Sequence, residues 1–257
     1  MSVEILEEGR IYFFYRPRVD HPEVRSLADV QRFFFALRPG GTEHFRVVLV
    51  GRKRMPEVEE SHERLWAKVT EVTAVVDGVD RLRELLGPKT YETKTRGRRH
   101  LPKARPAGDG VYILARHEKH TQKHTHLAYE LLLPESPGPV QRALGLCDQA
   151  SYIVAVRNPC APPPPELEVS RRRGPELPED LLARFGDLRF LPVDPPAFLD
   201  HEGVDLVLIG VSGDVAGELG IDLDAEAERI WSRDIFEELR LRRDRQQADP
   251  LERGLWR

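Results

Sequence analysis

Residues Gly110–Pro134 read GVYILARHEKHTQKHTHLAYELLLP. Two runs rich in aromatic and aliphatic residues, Val111–Arg116 and His126–Leu133, flank a polar connection, which is the pattern of a β-hairpin. The second arm alternates. On an extended chain His124, His126, Ala128 and Glu130 share one face, and Leu127, Tyr129, Leu131 and Leu133 take the other, so the leucine face is predicted to meet a core. Four of the nine histidines lie in this stretch: His117, His120, His124 and His126. It is the one place where the chain concentrates chemistry.

Upstream, Ile11–Tyr15 (IYFFY) reads as a strand. Ser26 has the character of a helix N-cap with Asp29 in the first turn, and Leu27, Val30, Phe34 and Leu37 recur at helical spacing, so a helix is predicted up to Pro39-Gly40-Gly41. Phe45–Val50 and Trp66–Val76 read as strands. Val79, Leu82 and Leu86 form one helical face stopped by Gly87-Pro88. Downstream of the hairpin, Ser136-Pro137 opens a short helix and Ser151–Val156 is another strand. The expected class is α+β, with a mainly antiparallel or mixed sheet, short flanking helices and a split β-α-β, ferredoxin-like start.

Four successive prolines, Pro162–Pro165, mark a stiff boundary. The expected organisation is an α+β domain over 1–158, a Pro/Arg-rich linker over 159–177, and a C-terminal helical section over 178–257 packed on the first domain. In that last section Asp205–Val211 is the clearest strand, and a final helix is predicted from Asp224 to about Gln246, with Ala227, Ile230 and Trp231 on its apolar side.

A chain of 257 residues with 40% hydrophobic and 32% charged residues can bury a normal core. A formal net charge of −4 argues against attraction of the whole molecule to nucleic acid or to an acidic membrane. The N-terminus has no apolar signal core, no apolar run approaches the roughly 20 residues that span a bilayer, and Cys147 and Cys160 are read as reduced, so a soluble cytoplasmic protein is expected. Neither phosphate-loop nor dinucleotide glycine motifs occur, nor does a nucleophile elbow.

Two chemistries compete for the hairpin. His124 and His126 on one strand, His117 across from them and Glu130 one step along can assemble a zinc or iron site, with Glu130 as fourth ligand or general base of a metal-dependent hydrolase. Alternatively the histidines join basic loops around RNA or another phosphate-rich ligand. The cations for that role are Arg52, Lys53 and Arg54, then Arg96, Arg98 and Arg99 within the basic stretch Lys89–Arg105, then Arg116, Lys119 and Lys123, with Tyr129 nearby to stack on a base. Lys119 and Lys123 disfavour a metal beside them. A third reading is a scaffold that binds protein partners through the Pro-rich linker and the charged last helix.

The segment HTHLAYELLLPE, followed by a Pro-Val-Gln helix and SYIVAVRNP, resembles a family of uncharacterised prokaryotic proteins. The resemblance covers Val111–Pro159, includes His124, Thr125, His126 and Tyr129, and implies no activity.

Overall fold

The structure is a computed structural model that describes residues 2–58, 63–74, 76–119, 122–162, 174–223 and 234–257; the side chains of Lys119 and Gln122 lie outside that description. So do His120, Pro163–Pro165, Arg171–Arg173 and the segment holding Ala227, Ile230 and Trp231, on which part of the linker and final-helix expectations fall.

Eleven strands are described: β1 Ser2–Pro17, β2 Val30–Pro39, β3 Arg46–Val50, β4 Arg64–Val72, β5 Lys89–Thr93, β6 Gly97–Leu101, β7 Arg105–Lys119, β8 Gln122–Leu133, β9 Gln149–Arg157, β10 Phe190–Pro192 and β11 Asp205–Ser212. Eight of them run in the order β9-β11-β4-β3-β2-β1-β7-β8, and β8 pairs back onto β9. Every pairing is antiparallel. The result is a closed barrel with β10 added outside on the end of β9 and β5–β6 as a separate hairpin. This corrects the expected α+β, ferredoxin-like class: the β8–β9 ladder, Thr125–Val154 through Glu130–Gln149, closes the sheet into a barrel where a ferredoxin-like sheet stays open with two free edges.

The predicted helix after Ser26 is the informative error. The cap is real: Ser26 Oγ accepts from Ala28 N, and Asp29 accepts from Ser26 N at 3.2 Å. Only one short turn follows, Leu27–Asp29, before Val30 goes extended. Phe33, Phe35 and Leu37 then point into the barrel while Phe34 and Ala36 point out beneath helices, so both faces are buried. A strand buried on both sides shows no polar alternation, and its apolar positions can be matched to a helical period.

An eight-stranded barrel is just wide enough for side chains to fill. Here Phe13, Tyr15, Phe33, Phe35, Tyr112, Tyr129 and Tyr152 do so, with Phe13 edge-on to Tyr129 at 5.0 Å and parallel to Phe33 at 6.2 Å. One part of the interior is polar. Arg46 grips Glu7 through Nη1 at 2.6 and 2.8 Å and Asp200 through Nε at 2.6 Å. The Tyr112 hydroxyl donates to Glu7 at 2.7 Å, and His44 Nε2 meets Asp200 at 2.8 Å. Asp200 ends the short turn Pro196–Asp200, whose Phe198 and Leu199 join the core.

Outside, helices α1 Gly78–Leu86, α5 Ile235–Glu238 and α6 Arg245–Glu252 cover Tyr12, Phe14, Phe34 and Val47. Helices α2 Pro139–Ala143 and α3 Glu179–Ala183 add Val140 and Leu181 to the interior cluster, and α4 Val215–Leu219 covers β7 and β8. Trp256 of the tail docks edge-on against Tyr15 at 5.2 Å. At Gly110 a Cβ would sit 2.0 Å from the Glu130 carbonyl oxygen, so only glycine lets β7 approach β8 there.

The barrel is strongly sheared. Paired residues lead from Tyr15 through Phe33, Val50, Ala67 and Leu206 to Val156. Two residues back along β9, the row Val154–Thr125–Arg116–Glu4 reaches the opposite end of β1. That offset brings the β3–β4 turn, Gly51 and Arg52, beside His124 of β8.

Candidate metal centre on the barrel wall

The hairpin is β7–β8. Tyr112 and Leu114 point inward, as do Leu127, Tyr129 and Leu131 of β8; Ile113, Ala115, His117 and, on β8, His126 and Ala128 face out. Outward-facing does not mean exposed here. Helix α4 lays Val215 and Leu219 over Ile113, Ala115 and Ala128, leaving His117 5% and His126 1% exposed. Asp214 starts that helix by accepting from Gly217 N at 2.8 Å. The same helix delivers Glu218.

One ligand atom from each of His117, His126 and Glu218 lies within 4.8 Å of the other two. The two imidazoles have centroids 5.3 Å apart at an interplanar angle of 55°. His126 Nδ1 is held at 2.9 Å by Ser151 Oγ of β9, which fixes the ring and directs Nε2 away from that contact. His117 Nε2 is buried and has no hydrogen-bond partner among the described residues, a costly state for a polar atom. Metal bonds of about 2.0–2.2 Å put ligand atoms roughly 3.5 Å apart, so an ion would draw these three together by about an ångström. Two imidazoles and one carboxylate suit zinc and also match the open-sided set that holds ferrous iron.

Burial, with smaller contributions from the charges of His117 and His124, pushes His126 down to about 4. It is therefore a neutral imidazole near pH 7, the form that ligates. Its folded value lies below the ordinary 6.5, so the unfolded chain binds more protons between the two. Stability of the metal-free protein rises with pH across that window and falls as pH drops from about 6.5 to about 4, by up to roughly 3 kcal/mol from this group. Urea titrations at pH 7 and pH 4.5 check this: His126→Gln should flatten the difference relative to wild type.

The structure sorts the other sequence candidates. His124 is on the same face of β8 but lines a neighbouring groove with Arg52. Glu130 lies two outward positions beyond His126, about 13 Å along the strand, and is not in the cluster, where Glu218 supplies the carboxylate. Tyr129 is interior and accepts from Cys147 N at 3.2 Å. Arg54 is held by Glu63 at 2.6 Å, Lys53 Nζ donates to the Val30 carbonyl at 2.5 Å, Arg116 pairs with Asp194 at 2.9 Å and with Glu4, and Lys123 pairs with Glu118 at 2.8 Å. Lys119's side chain and His120 fall outside the described residues. Arg96 and Arg98 are exposed on the β5–β6 hairpin, and Arg99 pairs with Asp20 at 2.8 Å. Arg96 and Arg99 share a cleft of about 480 Å³ with Arg18 and His21, which has no lining residue in common with the groove at Arg52. The basic stretches thus divide between two concavities.

Glu218 escaped sequence reasoning. Asp214 followed by Val215 is a legible helix start, but only the barrel topology tells which strand pair the helix covers. No helix among the described residues is long and apolar enough to cross a membrane. No family model, curated protein or solved structure matches the chain.

Proposed function

We propose that the chain binds one divalent transition metal, zinc or iron, through His117, His126 and Glu218, and acts as a metal-dependent hydrolase on a phosphate-bearing ligand. The observation that supports this most is the buried Nε2 of His117, unpartnered among the described residues, beside a second imidazole and a carboxylate. A metal held by His117, His126 and Glu218 would supply hydrolytic chemistry by acidifying a bound water. The phosphate part rests on Arg52 and Arg64, cations that line the groove beside the centre together with His124.

Zinc titration of protein purified without a polyhistidine tag tests the reading. One equivalent should bind, and melting should shift upward by the equivalent of roughly 4 kcal/mol at a thousandfold excess over Kd. His117→Ala, His126→Ala and Glu218→Gln should each abolish the shift. Unchanged melting and no bound metal would rule the centre out.

A further inference from the structure

A concavity of about 760 Å³ lies on the outer wall of β4, β11 and β9. That is within the range of small-molecule sites. Its floor is apolar: Trp66, Ile153, Val207 and the outlying Phe190, whose ring lies 6.1 Å from Trp66 and is 40% exposed. Exposed aromatic surface of this kind is a recognition feature when polar groups rim it.

The rim carries one sign. Arg52 is 72% exposed, and its carboxylate partner among the described residues, Glu63 at 3.9 Å, is also held by Arg54 at 2.6 Å. Among the described residues Arg64 has no ion pair and no acidic side chain lines the groove. Arg46, Arg54, Arg116 and Arg157 each pair closely with a carboxylate. An apolar floor with two exposed guanidinium groups at its edge, Arg52 only loosely paired with Glu63 at 3.9 Å, complements a ligand that is apolar at one end and anionic at the other.

The groove is also placed to serve the metal centre. His124 lines it, and His124 and His126 share the outward face of β8. Ile153, a floor residue, is the direct cross-strand partner of His126. The groove and the centre therefore share one stretch of barrel wall.

We infer that this groove binds a phosphate monoester of an aromatic or short alkyl alcohol, the apolar body on Trp66, Phe190 and Ile153 and the phosphate at Arg52 and Arg64. As the substrate class of the metal centre this rests on the hydrolase reading; as a binding site it stands separately.

The test is equilibrium dialysis and calorimetry of the full chain with 1-naphthyl phosphate, 1-naphthol, inorganic phosphate and a uridine hexanucleotide. The ester is expected to bind at least about tenfold more tightly than naphthol or phosphate alone, since it uses floor and rim together. The double variant Arg52→Glu/Arg64→Glu should lose at least about tenfold, more at low salt than at high. Both side chains are exposed, so unchanged melting of that variant confirms a folded protein. The full chain dialysed against a chelator should bind the ester within about threefold of the zinc-loaded protein. Ester binding with no metal binding removes the hydrolase reading and leaves the groove; metal binding with no ester binding removes the groove. Naphthol bound as tightly as its ester, a charge-reversed variant that binds normally, a hexanucleotide that outcompetes the ester, or a dimer by light scattering that dissociates in Val207→Asp would each overturn the inference.

Discussion

Phe13→Ala should lower unfolding free energy by about 3–5 kcal/mol, the cost of emptying a large aromatic site that cannot collapse. Phe13 is fully buried and touches rings from three directions: Phe33 at 6.2 Å, Phe35 at 6.1 Å and Tyr129 at 5.0 Å. Those neighbours stand on β2 and β8, which hydrogen bonding locks into the closed ladder, so they cannot move in to fill the space. For a chain of this length the loss corresponds to a fall in Tm of roughly 10 °C. Replacing Ile5, which is 41% exposed on the same strand, should change stability by less than about 0.5 kcal/mol. Thermal or urea unfolding of the two variants separates a filled barrel from a loose one.

Arg46→Ala should be comparably damaging, about 3–5 kcal/mol, for an electrostatic reason. The Arg46 guanidinium is 5% exposed and is the counter-charge of Glu7, itself 14% exposed, and of Asp200. Burial alone would raise the Asp200 carboxyl; the Arg46 hydrogen bond and charge, followed by His44, outweigh it and hold the carboxyl below its ordinary range. Without Arg46, Glu7 is left beside the Tyr112 hydroxyl with no cation to face it, and Asp200 keeps only His44. Adding Glu7→Gln to Arg46→Met should recover a large part of the loss, because the second substitution removes the stranded charge. A double-mutant cycle in urea reads this directly.

The sequence carried local structure well where a strand had one polar face. The β7–β8 alternation was legible from Leu127, Tyr129 and Leu131 inside to His126 and Ala128 outside, because period-two patterning needs no knowledge of the partner; it fails at Leu133, which packs on the outer cluster past the register shift at Asp109 and Gly110. It failed where both faces are buried. Phe33, Phe34 and Phe35 each find apolar surroundings, half inside the barrel and half under helices, so the run offered no alternation to set against a helical match. Barrel closure was illegible for a different reason: the β8–β9 ladder joins strands already visible in the sequence, and β11 inserts between β9 and β4 from far along the chain. Composition cannot report which edges meet. The candidate site divided the same way. His117 and His126 were legible as neighbours across a hairpin. Glu218, about ninety residues on, entered only through the way α4 lies on the wall, and Glu130 was favoured because it sits on the correct face, although the wall places it too far along.

X-ray anomalous diffraction at the zinc edge, from crystals grown with one equivalent of zinc, tests the central claim most directly. The account predicts a single strong peak between β7, β8 and α4, bonded to His117, His126 and the Glu218 carboxylate at about 2.0–2.2 Å. No peak there, or a peak held only by side chains outside that cluster such as His124, would contradict it.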